Sequence, residues 1–202
     1  MTSGTGALFN SAFETALFLA AVLLWLSTEL VLGAIVTIHR RRKKAGMKAA
    51  RDRFSGLAVR SMLYLSIIIA FGLALNGITI APDWLFYAGF LLTVSGVLVR
   101  QWALFTLGHY FTPVIAVQPA QKVVDAGPYR LIRHPSYLGI LLTAVGIGFM
   151  LRSLAGVAVI VALCGPAVGY RIWIEERFLA SELGDDYVRY MKRTKRLVPF
   201  LL

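Results

Sequence analysis

The chain has 202 residues, 58% of them hydrophobic, and a formal charge of +11 from 21 Lys and Arg against 10 Asp and Glu. A soluble domain this small keeps too much of itself at the water boundary to hide so much apolar surface, so the expected solvent is a bilayer. Nucleic-acid binding is excluded too, because long uncharged runs gather the basic residues into blocks instead of spreading them over a water-facing surface.

A bilayer core of about 30 Å takes roughly 20 apolar residues in helix, and five segments reach or approach that length. They are residues 13–38, 57–76, 84–107, 137–151 and 154–174. The first has no basic stretch ahead of it and is too long for a signal-peptide core, so it is expected to be a membrane helix. It contains Glu29, which must be protonated, hydrated or paired with a buried partner; a structural role is expected.

The polybasic run HRRRKKAGMKAARDR, residues 39–53, follows. Positive loops stay in the cytoplasm, which puts the amino terminus outside. After five crossings, the 108–136 loop and the tail from Glu175 also lie on the cytoplasmic side. From Arg40 to Arg60 there are nine basic residues and one acid. They are assigned to topology and to attraction for anionic lipids. In the third segment Arg100 and Gln101 interrupt the apolar pattern about two turns before its end, where Arg100 either snorkels to the interface or lines a cavity.

Only Arg152 and Ser153 separate the fourth and fifth segments, which predicts a tight helical hairpin. Gly146, Gly148 and Gly156 permit close helix packing, within one chain or between chains. The single cysteine, Cys164, lies in an apolar run, so an intrachain disulfide and a multi-cysteine metal site are both excluded, and it is read as a small buried residue. No repeat and no low-complexity linker divides the chain. The expected architecture is an all-α polytopic membrane protein in one domain, residues 1–202, with chemistry at the cytoplasmic helix ends and no metal.

Two clusters can carry that chemistry. In GPYRLIRHPSYLG, residues 127–139, Gly127 and Pro128 make a turn and Pro135 suits the first turn of a helix. The cluster presents His134, Tyr137 and free backbone amides to one interfacial spot, with Arg130 and Arg133 nearby to favour an anion. Taken by themselves, Arg and Tyr beside a membrane helix are mostly interfacial anchors. In RIWIEERFLASELGDDYVRY, residues 171–190, Arg171, Glu175 and Leu179 share one helical face and Glu176 points about 100° away. That i to i+4 pair is either surface support or a device for orienting a substrate.

The residues Arg100, Trp102, Leu107, Gly108, Phe111, Val123, Val124, Gly127, Tyr129, Arg133, His134, Pro135, Tyr137 and Gly139 are followed by Glu175, Glu176, Leu179, Gly184, Tyr187, Tyr190 and Pro199. Together, RHPxYxG and a downstream EExxL...G..Y..Y motif across a helical hairpin resemble the isoprenylcysteine carboxyl methyltransferases and related membrane phospholipid methyltransferases. The likeness covers residues 100–202; residues 1–99 match only as apolar segments and form the variable, substrate-side half.

The resemblance implies a methyltransferase that uses S-adenosylmethionine, leaving S-adenosylhomocysteine, with the cofactor in a cytoplasm-facing pocket. It assigns cofactor binding to Val124, Gly127, Tyr129, His134, Pro135, Tyr137, Leu138, Gly139, Glu175 and Glu176. Arg171, Glu175 and Arg133 are the expected catalytic residues, the arginines guiding an anionic acceptor. The acceptor, a lipophilic small molecule or lipid with a carboxyl or amine group, would arrive sideways from the bilayer. Two rival readings are an NADPH-dependent membrane reductase related to sterol reductases and a non-catalytic lipid-binding protein.

Overall fold

The computed structural model describes residues 8–42, 48–50, 52, 54–78 and 81–197. Residues 43–47, 51 and 53 of the polybasic run, and Pro199, lie outside the described residues. Helix α1 spans Ala12–Arg42, α2 Ser55–Leu75, α3 Trp84–Leu107, α4 Pro135–Met150, α5 Leu154–Leu183 and α6 Asp185–Arg193. Two short strands, β1 at Lys48–Ala49 and β2 at Ala116–Val117, pair antiparallel with Lys48 opposite Val117. Helices α1, α2, α3 and α5 are long and apolar enough to cross a membrane, and α4 is a shorter apolar helix. At 16 residues, α4 spans about 24 Å, short of a full bilayer core.

The outward faces are apolar as well as the inward ones. Leu23, Ile68, Leu91, Leu98 and Phe105 are exposed, while Trp25, Leu63, Val97, Ile140, Ile147 and Ile160 form the core with Cys164. A helix apolar all round belongs in lipid. Cys164 Sγ lies 3.4 Å from the Ser66 hydroxyl and takes the expected buried place.

Helices α3 and α4 pack backbone to backbone. A Cβ at Gly139 would stand 2.6 Å from Arg100 Cβ, one at Gly96 would stand 2.5 Å from Thr143 N, and one at Gly146 would meet Thr93. The Gly139 in the RHPxYxG motif is therefore needed for close approach at the level of Arg100. Gly148 and Gly156 face α5 and α2 in the same way, so the small residues serve packing inside the chain.

The α4–α5 hairpin is present, with Ser153 Oγ accepting from Gly156 N–H at 3.0 Å to cap α5. Its tip is pinned, because buried Arg152 donates to Glu14 of α1 at 2.7 Å. Helix α5 runs nine residues beyond the apolar stretch, because RFLASEL continues the helix until Gly184 at φ +59° ends it. This extension carries Glu175 and Glu176 past the apolar run and over the start of α4.

Candidate active site

A cavity of about 460 Å³ opens among α1, α2, α3, α4, α5 and the chain between α3 and α4. One side is built by the turn before α4. Gly127 has φ +52°, and a Cβ there would meet Thr106 Oγ1 at 2.8 Å and Trp102 Nε1 at 3.2 Å, so the turn needs glycine on both grounds. His134 stands at the N-cap and Pro135 in the first turn of α4. The tail is strapped across this segment: Arg133 N–H donates to Lys195 O at 2.7 Å and His134 N–H to Arg196 O at 3.0 Å. Tyr190 OH donates to Tyr129 O at 2.8 Å. Burial keeps the Tyr129, Tyr187 and Tyr190 phenols well above their ordinary pKa, so all three act as neutral hydrogen-bonding groups.

The two adjacent glutamates of α5 serve different structures. Glu176 is buried behind the wall, where Arg133 Nε donates to it at 2.7 Å, His134 Nε2 lies 3.4 Å away and Arg196 Nε donates at 3.0 Å. Arg133 also donates to the carbonyls of Met191, at 2.9 Å, and Thr194. Glu175 faces the cavity and accepts from Tyr137 OH at 2.6 Å. The same phenol oxygen accepts from Arg171 Nε at 2.9 Å. Arg171 reaches on to the Ser55 hydroxyl at 2.8 Å, Pro113 O at 3.0 Å and, more loosely, Asp52 at 3.4 Å. Burial alone would raise the Asp52 carboxyl, but hydrogen bonds from Ser55 and Phe54 and the Arg171 charge hold it below the usual carboxylate range.

Of the sequence-derived site residues, Val124, Tyr129, Arg133, His134, Tyr137, Arg171 and Glu175 line the cavity. Gly127, Pro135, Leu138, Gly139 and Glu176 stand outside its lining. The glycines and the proline fix backbone, and Glu176 anchors Arg133. Arg100 takes the cavity-lining alternative and is paired with Glu29, which also lines it. Sequence reasoning missed the opposite wall: Trp25 of α1, Tyr64 of α2 and residues 112–116, whose short uncharged pattern carries no chemical signature. Tyr187 and Tyr190 line the cavity too, and the spacing of the G..Y..Y motif was their signal.

A family model, the isoprenylcysteine carboxyl methyltransferase family, matches residues 89–181. The probable protein-S-isoprenylcysteine O-methyltransferase of Oryza sativa subsp. indica is 28% identical over 192 residues, covering 92% of this chain and 95% of that protein. Protein-S-isoprenylcysteine O-methyltransferase B of Arabidopsis thaliana is 32% identical over 120 residues, 58% of this chain and 61% of the relative. The solved structure of a eukaryotic intramembrane Ras methyltransferase, an isoprenylcysteine carboxyl methyltransferase, superposes with TM-score 0.56 at 25% identity over 70% of this chain. This chain spans about half the length of that solved protein, 52%. These relatives give the reductase reading no support. The motif pair, the plant relative matched over nearly its full length and the shared fold all place this chain's likeness with the isoprenylcysteine carboxyl methyltransferase family of integral membrane methyltransferases.

Proposed function

We propose that the chain transfers a methyl group from S-adenosylmethionine to the carboxylate of a lipophilic acceptor, of the S-isoprenylcysteine type named in its relatives. One observation carries this reading: the cavity joins the RHPxYxG segment and the Glu175 face of α5 to an apolar wall from α1 and α2. Its charges fit a zwitterionic cofactor. Glu175 faces the cavity with no cationic partner among the described residues, and Arg60 and Lys122 face it with no acidic one.

When bound, the cofactor supplies an activated methyl group on a positively charged sulfur. The protein's work is then alignment and exclusion of water. Glu175, held by Tyr137 OH, offers a fixed carboxylate to a cationic ligand atom. Val124 and Tyr129 would flank the cofactor, with His134 beside them. Arg171 is the acceptor's anchor, since among the cavity-lining arginines with carboxylate partners its contact is the loosest. Arg133, committed to Glu176 and two carbonyls, positions this wall. An acceptor carboxylate is already ionised at neutral pH and needs no base, whereas an ammonium would need one. Residues 100–202 form the cofactor-holding part of one domain and residues 1–99 the acceptor side. The polybasic run supports a cytoplasmic cavity and an external amino terminus, with anionic lipids against residues 40–60.

Purified protein in liposomes, given methyl-labelled S-adenosylmethionine and N-acetyl-S-farnesylcysteine, should yield labelled lipid that alkali releases as methanol. Alkali-stable label would mean N-methylation. No labelled product together with no binding of S-adenosylhomocysteine would overturn the reading.

A further inference from the structure

Three arginines on the cavity wall have carboxylate partners, and the partners differ in where they lie. Arg133 pairs with Glu176 and Arg171 with Asp52, and both of those carboxylates stand outside the cavity lining. Arg100 pairs with Glu29, and here cation and carboxylate both line the cavity. Glu29 belongs to α1, 71 positions away, in the half of the chain that the family model does not reach. Arg100 donates Nε and Nη2 to the two carboxylate oxygens, the second at 3.0 Å, and Nη1 to Ser136 Oγ at 2.7 Å. This side-on fork is the geometry in which a guanidinium receives an incoming carboxylate. The position is already filled by one tethered to the protein.

The pair also stands beside the apolar side of the cavity. Helix α1 packs on α3 and α4, and across from it α2 contributes Val59, Leu63 and Tyr64 to the lining. The Trp25 and Tyr64 rings, 5.9 Å apart, bridge α1 and α2 one turn from Glu29. A lipid tail lying along these residues brings whatever polar groups flank its head past Glu29. A half-buried, bidentate pair is costly to open, because it would leave a charge without its partner in a medium of low dielectric. A like charge brought next to Glu29 is disfavoured for the same reason.

We propose that Glu29 is a specificity-determining residue that occupies Arg100 and bars a second anion from this wall. The acceptors admitted are lipophilic molecules with one anionic group, the carboxylate to be methylated, and a neutral group beside Glu29. Lipids that carry an additional carboxylate or a phosphate near the head are turned away. This rests on reading the cavity as the acceptor site, and its test does not depend on methyl transfer.

The test measures equilibrium binding of two tritiated ligands to the purified full chain in micelles: N-acetyl-S-farnesylcysteine, a monoanion, and N-succinyl-S-farnesylcysteine, its dianionic counterpart. The wild type should bind the dianion about tenfold more weakly or worse, and Glu29→Gln should remove that penalty by freeing Arg100 while changing monoanion affinity by less than about threefold. The double variant Glu29→Gln/Arg100→Gln leaves no unpaired charge and keeps the test open should the single variant fail to fold. It should also lose the penalty. Equal binding of the two ligands by the wild type, or a penalty unchanged in the folded variants, overturns the proposal. Failure of both ligands to bind overturns the acceptor-site reading with it. Failure of S-adenosylhomocysteine to bind strikes the methyltransferase reading alone and leaves the comparison of the two ligands intact.

Discussion

Glu175 and Glu176 are neighbours on one helix, yet they belong to two regions that work in different ways. Glu176 sits in a knot of Arg133, His134 and Arg196 that fastens α5 to the start of α4 and to the tail. Glu175 sits on an open wall, with Tyr137 OH as its hydrogen-bond donor and space in front of it. A turn of about 100° along the helix separates a carboxylate whose needs are met from one with capacity left over. The comparison shows how a single EE dipeptide can brace a wall and face a cavity at once: the bracing residue spends its lone pairs on the protein, and the facing residue has lone pairs left over.

Breaking the knot should have the largest effect. Glu176→Ala leaves the Arg133 guanidinium, 8% exposed, without its carboxylate. Removing one partner of a buried pair costs about 3 to 5 kcal/mol. Thermal unfolding in detergent should show a large drop in Tm, and proteolysis should begin in the tail that Arg133 holds through Met191 and Thr194. A Tm equal to that of the wild type would show that the knot does not hold the tail. The neighbouring substitution should behave in the opposite manner. Glu175→Gln keeps shape and burial, so Tm should stay close to wild type while label transfer falls about 100-fold. If instead Glu175→Gln lowered Tm and spared transfer, the two residues' parts would be reversed.

Tyr137→Phe probes the connection within the open wall. The phenol donates to Glu175 and accepts from Arg171, so its loss releases both charged groups while leaving the ring in place. A fall of about tenfold in kcat/KM is expected, the order of one lost hydrogen bond to a charged group. The change should appear in the KM for both cofactor and acceptor, since in the proposed function the two groups it orients serve different ligands.

Much of this was legible in the sequence and some was not, for physical reasons. Apolar length located the helices well, and α3 begins and ends at the expected residues, 84 and 107. It failed at the end of α5, since length matched to a bilayer says nothing about a helix that continues into water. His134, Tyr137 and Glu175 were visible because a motif fixes residue type and spacing together. The α1 wall was not visible. Glu29 and Arg100 were each seen to be out of place in apolar runs, but a pair 71 residues apart is made by tertiary packing that no local pattern encodes. The strapping of the tail by Arg133 and His134 amides escaped notice for a related reason: it uses backbone groups that every residue has.

The smallest effect is the one that separates burial from charge inside the knot. Glu176 is shared by two arginines whose side chains differ sharply in exposure, 8% for Arg133 and 55% for Arg196. The contact distances are close to one another, 2.7 Å and 3.0 Å, so distance alone would give the two pairs similar weight. Solvent decides otherwise, because an exposed head group is screened and loses side-chain freedom when it pairs. Arg196→Gln should therefore cost about 0.2 to 1 kcal/mol, with little change in label transfer. Its effect should shrink further at high salt, whereas that of Glu176→Ala should hardly depend on salt. Equal salt dependence for the two variants would mean that water reaches Glu176, and that the contrast between the closed knot and the open wall is one of degree.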